Sequence, residues 1–164
     1  MRVKKNKSYF RINNSLLLNL NNITYICFTM VASETKIRVR YGETDRMGYV
    51  YYGNYAEYYE VGRVEALRKL GFSYKEMEDQ GILLPVLEFS INYKKPAFYD
   101  DEITVKTSIK EMPGVKITFH YECFNANNEL LNSGKVTLVF VNKQTNRPCQ
   151  PPEWFVNAIA PFFN

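Results

Sequence analysis

The sequence predicts an α+β fold in which one long central helix packs on a curved antiparallel sheet of about five strands. Three observations predict it. One long segment, starting at Asn54, repeats apolar and small residues at helical spacing. Several segments on either side alternate apolar and polar residues with period two. Short turn signals, such as Pro113-Gly114, separate the later ones.

The elements follow in order. Ile37-Arg38-Val39-Arg40-Tyr41 alternates and reads as a half-buried strand. Gly42 to Gly53 is loop, and Asn54 is placed as the N-cap of the helix. Tyr55, Tyr59, Gly62, Ala66 and Leu70 then recur at steps of four, three, four and four, which puts them on one helical face. Glu65 and Lys69 are expected to pair at i,i+4, Glu60 and Arg63 at i,i+3, and Gly71 to end the helix. Ser73-Tyr74-Lys75-Glu76 fits a capping box and predicts a short second helix, stopped by Gly81.

Four strands are expected next. Pro85–Tyr93 carries Leu87, Phe89, Ile91 and Tyr93 on one side. A turn around Pro96 leads to Ile103, Val105, Thr107 and Ile109, then to Val115, Ile117, Phe119, Tyr121 and Cys123. Val136 to Val141 is apolar on both faces, as a central strand covered on both sides would be. Pro151-Pro152-Glu153 starts a C-terminal helix with proline in its first turn.

The 164 residues, 46% of them hydrophobic, suit a single domain over residues 30–164. Residues 1–29 differ. They hold five bases, Arg2, Lys4, Lys5, Lys7 and Arg11, and no acid. Asn19, Asn21 and Asn22 break up the apolar run of a secretory signal and make the stretch too polar to span a membrane. The expectation is a disordered or loosely packed extension ahead of Met30. The rest of the chain has sixteen bases against seventeen acids, so the net charge of +4 carries no nucleic-acid footprint. Cys27, Cys123 and Cys149 lack metal-like spacing and cannot all pair, which suits a reduced, cytoplasmic protein.

Chemistry is narrowed by what is scarce. His120 is the one histidine, which argues against a Ser-His-Asp triad or a multi-histidine metal site within a subunit. It alternates with Lys116, Thr118 and Glu122, so it reads as a surface residue. No phosphate-binding or dinucleotide glycine loop occurs. Carboxylates remain. Asp45, between a strand and the helix start, is either a turn or capping aspartate or a catalytic one. The catalytic reading has a physical basis. Helix-start N–H groups can hold a thioester carbonyl and its oxyanion, a nearby carboxylate can attack or activate water, and Gly48 and Gly53 admit substrate close to the backbone.

The string Tyr41-Gly-Glu-Thr-Asp45-Arg-Met-Gly-Tyr-Val-Tyr-Tyr52-Gly-Asn-Tyr55, followed by Tyr59-Glu60 and Arg63, resembles the 4-hydroxybenzoyl-CoA thioesterase family and its YbgC-like branch. The likeness covers roughly residues 35–143 and is gapless in the motif. It implies the hotdog fold and acyl-CoA or acyl-carrier-protein thioester hydrolysis, with coenzyme A present only as part of the substrate. It implies a homodimer, often paired into a homotetramer, with sites at the subunit interface. Residue by residue, Asp45 aligns with the catalytic aspartate, and Tyr52 with the residue whose N–H builds the oxyanion hole. Gly53 and Asn54 fall in the same helix-start turn. The branch has histidine at position 52, so the tyrosine here favours a role for the backbone alone.

Softer expectations attach to the same reading. Lys94, Lys95, Lys110 and Lys116 are candidates for CoA phosphates and equally for solvated charges. Glu60 and Arg63 are taken as supporting residues. Tyr51, Tyr55, Tyr58 and Tyr59 either pack the helix on the sheet or line an acyl tunnel. Two other readings stand beside hydrolysis. One is a hotdog hydratase, disfavoured because His120 is far along a later strand. The other is a non-catalytic acyl-thioester binder.

Overall fold

The structure, a computed structural model, describes residues 31–163. The expected N-terminal extension, with Cys27 and Met30, lies outside the described residues. Eight strands and three α-helices follow: β1 (Val31–Arg38), α1 (Asn54–Lys69), α2 (Tyr74–Asp79), β2 (Ile82–Leu83), β3 (Val86–Tyr93), β4 (Glu102–Ile109), β5 (Lys116–Phe124), β6 (Leu130–Val139), β7 (Val141–Asn142), β8 (Arg147–Pro148) and α3 (Glu153–Ile159). Five strands form one antiparallel sheet in the order β1-β4-β5-β6-β3, and β2, β7 and β8 form a small second sheet.

The expected two-layer arrangement is present. Period-two patterning puts Ile103, Val105 and Ile109 of β4 and Ile117, Phe119, Tyr121 and Cys123 of β5 on the face beneath α1, all buried. Helix α1 answers with Tyr55, Tyr58, Tyr59, Ala66 and Leu67. Full burial of each large apolar side chain contributes about 1.5–3 kcal/mol. The opposite face is polar: Ser108, His120 and Lys135 lie side by side on β4, β5 and β6. Past the sheet, Phe155 of α3 packs on Phe72 and Phe140.

Several local expectations are corrected. β1 runs over Val31–Arg38, where it pairs along its whole length with β4, so the strand stops before Tyr41, which opens a short 3₁₀ turn. Gly53, not Asn54, is the N-cap, and Asn54 is the first helical residue. Lys69 does not pair with Glu65; it reaches Ser33 Oγ at 2.9 Å and the Glu34 carbonyl at 2.7 Å, while Arg68 takes Glu65. The apolar stretch from Val136 divides, since β6 ends at Val139 and Val141 begins β7, but β6 is an interior strand between β5 and β3 with Val136, Thr137 and Leu138 buried, as expected. Pro152 caps α3 instead of lying inside it.

The Leu87 side of β3 departs furthest from expectation. Leu87 is 57% exposed and Phe89 40%. An irregularity between Val86 and Glu88 breaks the alternation, and β3 is an edge strand with no neighbour among the described residues on its outer side. The Glu60–Arg63 pair at 3.1 Å, the Ser73–Glu76 capping box and the stop at Gly71, with φ of +96°, all match expectation.

Candidate active site

Residues 39–53 form the loop that carries Asp45. It is anchored to the β3–β4 connection: Val39 N–H donates to Asp101 O at 2.9 Å and Val50 N–H to Ala97 O at 2.9 Å. Inside the loop Thr44 bridges Val50, and Asp45 N–H donates to Tyr49 O at 3.0 Å. The turn closes with Gly48 N–H on Asp45 O at 2.9 Å, and Gly48 sits at φ of +82°, where glycine is favoured. Asp45 Oδ1 accepts from Met47 N–H at 2.8 Å. The turn-residue reading of Asp45 is therefore correct as far as it goes, but it occupies one carboxylate oxygen. No donor among the described residues engages Oδ2.

The helix start lies next to this loop. Asn54, Tyr55 and Ala56 N–H groups find the carbonyls of Tyr51, Tyr52 and Gly53. Among the described residues the N–H groups of Tyr52 and Gly53 have no acceptor, and they stand at the positive end of α1. Gly53 has a steric reason too: a Cβ there would stand 2.8 Å from the Tyr51 ring.

A cavity of about 430 Å³ joins these parts. Asp45, Tyr52 and Tyr55 line it together with Tyr93, Lys94 and Lys95, and Met47, Tyr49, Val50 and Pro96 complete the lining. Tyr93 Oη donates to Tyr52 O at 3.0 Å, which fastens the end of β3 to the helix start. Tyr55 meets Tyr93 edge to face at 5.6 Å between ring centroids. Burial pushes the Tyr55 phenol well above its ordinary range, so it stays a neutral hydroxyl. Lys95 is paired with Glu129, which leaves Lys94 without an ion pair among the described residues.

The structure thus brings Asp45, Tyr52, Tyr55, Lys94 and Lys95 to one cavity, with Gly53 and Asn54 in the adjoining turn. It does not bring Lys110 or Lys116 there. Lys110 lines a groove on the polar sheet face beside His120 and Lys135, and Lys116 lies by the β4–β5 turn. Glu60 is exposed on α1, and its partner Arg63 is buried against Tyr74 at 3.1 Å. Tyr55, Tyr58 and Tyr59 are buried, whereas Tyr51 is exposed and packs on the Tyr52 ring at a 45° tilt. No cluster of three or more His, Cys, Asp or Glu suited to a metal ion occurs among the described residues.

Two contributors escape sequence reasoning. Tyr93 appears there only as a strand residue. Glu43 appears only as a letter in the motif, yet it is 6% exposed. Burial pushes its carboxyl up. The hydrogen bonds from the Arg40 side chain, the Arg40 N–H and Tyr58, with the Arg40 charge, outweigh that and hold it below the usual carboxylate range. The signal available in the sequence was an acid three residues after Arg40 in an aromatic loop.

Residues 39–159 match the model of the thioesterase-like superfamily. The YneP protein of Bacillus subtilis is 39% identical over 129 residues, covering 76% of this chain and 94% of its own. YbgC of Escherichia coli O157:H7, an acyl-CoA thioester hydrolase, is 33% identical over 120 residues, covering 73% of this chain and 90% of its own. Among solved structures, the DHNA-CoA thioesterase from Staphylococcus aureus is 40% identical with a TM-score of 0.73, covering 77% of this chain and 87% of its own.

Proposed function

This chain belongs to the thioesterase-like superfamily, a family of hotdog-fold thioester hydrolases, and we propose that it hydrolyses an acyl-CoA or acyl-carrier-protein thioester in the cavity beside Asp45. One observation carries the reading: Asp45, with one oxygen uncommitted, and Tyr52, with its N–H uncommitted, line the same cavity.

In this reaction the thioester carbonyl oxygen lies on the Tyr52 N–H, with the Gly53 N–H beside it. Asp45 Oδ2 takes a proton from water as the water oxygen adds to the carbonyl carbon, or adds to that carbon itself and is freed by water in a second step. The oxyanion is held by the helix-start amides. Collapse breaks the C–S bond, and the thiolate leaves with a proton as the free thiol. The products are the acid and the thiol, water being the only co-reactant, so no cofactor enters beyond the coenzyme A of the substrate. The Tyr52 side chain needs no proton of its own, which accommodates tyrosine where the YbgC-like branch has histidine.

Substrate holding follows from the lining. Lys94 and Lys95 offer charge to CoA phosphates or to a phosphopantetheine. Tyr49, Tyr55 and Tyr93 all line the cavity, and their aromatic surface suits a mid-size or aryl acyl group. The DHNA-CoA thioesterase likeness supports the aryl choice. The open edge of β3, with Val86, Leu87 and Phe89 exposed, supports a homodimer, and pairing of dimers gives the homotetramer. Lys110 and Lys116 enter this reading only as residues offered to a neighbouring subunit. Cys123 and Cys149, in no disulfide among the described residues, support a reducing, cytoplasmic setting. Among the described residues no helix is long and apolar enough to cross a membrane.

The test is thiol release from short, long and aromatic acyl-CoAs, with wild type beside Asp45→Asn. Release should fall by about 10²–10⁴-fold in the variant. Full release by Asp45→Asn would remove Asp45 from the chemistry and turn attention to Glu60. Tight binding of acyl-CoA with no release from any substrate, carrier-protein thioesters included, would make this a binder.

A further inference from the structure

Residues 40–50, which present Asp45, have one set of hydrogen bonds to α1 among the described residues. Among the described residues, each hydrogen bond that joins residues 40–50 to α1 ends on Glu43. Its carbonyl oxygen accepts from Asn54 Nδ2 at 2.6 Å, and also from Tyr51 N–H at 2.9 Å. Its carboxylate Oε2 accepts from Tyr58 Oη at 2.8 Å. Asn54 and Tyr58 are four residues apart, one turn of the helix, so the two ends of one glutamate grip one face of the first turn.

The other side of the same carboxylate is fixed to the chain ahead of it. Arg40 N–H reaches Oε2 at 2.6 Å and Arg40 Nε reaches Oε1 at 2.8 Å, with Arg40 Nη2 on Oε1 as well. A buried charge is costly unless every lone pair is met, and here both oxygens are. The remaining anchors of the loop, at Val39 and Val50, run to the β3–β4 connection. They set where the loop lies on the sheet side and leave its position against the helix start to Glu43.

We infer that Glu43 is a positioning residue: it sets the place of Asp45, two residues on, relative to the unpartnered amides at the start of α1. Chemistry between those groups needs them within about 0.5 Å of a working geometry. A misplacement of about 1 Å costs on the order of 100-fold. This role rests on the thioesterase reading, but its signature in the loop does not.

The experiment uses the full chain and two variants, Glu43→Gln and Tyr58→Phe. Gln keeps the shape and loses acceptors: its amide nitrogen cannot accept from Tyr58 and the Arg40 N–H, or else from the Arg40 guanidinium. Phe removes one hydroxyl. Amide exchange at Met47, Gly48 and Tyr51 is expected to quicken about tenfold in both, with β4 and β5 unchanged. Thiol release should show kcat lower by about tenfold or more with KM within about twofold, and the double variant no worse than the worse single one. Loop exchange equal to wild type in both variants overturns the inference, whether or not the wild type hydrolyses any thioester. In an active enzyme, a lowered Tm with kcat per folded molecule unchanged also overturns it, since that is the mark of a purely structural residue. If Glu43→Gln fails to fold, Tyr58→Phe alone decides by the same readings. Absence of wild-type hydrolysis with quickened loop exchange sinks the thioesterase reading and leaves the tether standing.

Discussion

Gly62 of α1 meets Thr107 of β4 so closely that a Cβ on the glycine would stand 2.6 Å from the Thr107 Oγ1 and 3.0 Å from Val105 Cγ1. The helix crosses the sheet at this point. One turn earlier Tyr59 lies flat on Tyr121, ring centroids 4.1 Å apart and planes within 4°. The absent side chain at 62 is what permits that approach.

Gly62→Ala is therefore expected to destabilise the protein. Alanine gains about 1 kcal/mol of helix propensity over glycine. Overpacking a filled interface costs about 1–3 kcal/mol, and the oxygen and methyl beneath it belong to a strand that has little room to move. The clash wins. Urea unfolding should show a lower midpoint at unchanged slope. An alanine variant as stable as wild type would mean that helix and sheet are further apart than described.

Acid should weaken the fold through Glu43. Its folded carboxyl is held below the ordinary value of 4.5, chiefly by Arg40 and Tyr58 working against burial. The unfolded chain then binds a proton that the folded chain resists. This stabilisation is complete above pH 4.5 and disappears as the pH falls through the lower folded value. Thermal unfolding down the acid range should fall more steeply for wild type than for Glu43→Gln. Parallel curves would show that the carboxylate is not held as described.

His120 makes the opposite case for activity. It lies half-buried on the polar face of the sheet, away from the cavity at Asp45. Burial lowers its pKa, Lys110 and Lys135 lower it further, and Glu111 partly offsets them. Its neutral form is thus favoured on folding, so its contribution to stability is present above pH 6.5 and is lost as the pH falls below that value. His120→Gln should leave kcat and KM within about twofold while flattening that shallow pH dependence. A loss of hydrolysis in this variant would mean that the polar face takes part in the reaction.

The residues legible in sequence were those whose spacing is local. Tyr55, Tyr59, Gly62 and Ala66 declare the buried face of α1, and Gly48 beside Asp45 declares a turn. Tertiary partners were not legible. Glu43 and Tyr58 are fifteen residues apart, and Tyr58 lies just off the face the four-three-four spacing selects. The four lysines look alike in sequence. The sheet divides them, since Lys94 and Lys95 leave β3 beside the helix start while Lys110 and Lys116 flank the β4–β5 turn. β3 misled for a different reason: an apolar stripe signals burial, and among the described residues Val86, Leu87 and Phe89 stay exposed.

The two margins of the main sheet are built unlike each other. Along β1 the outward series Glu34, Lys36 and Arg38 puts charge wherever a stray strand would try to add, a common guard against sticking. On β3 the one charge is Glu88, paired with Lys135, and Val86, Leu87 and Phe89 stand exposed around it. Among the described residues nothing pairs with the outer side of β3, so an extended hydrophobic peptide can add there. Aggregation of the isolated chain is thus expected to begin at β3, at the opposite side of the sheet from the charged β1 margin.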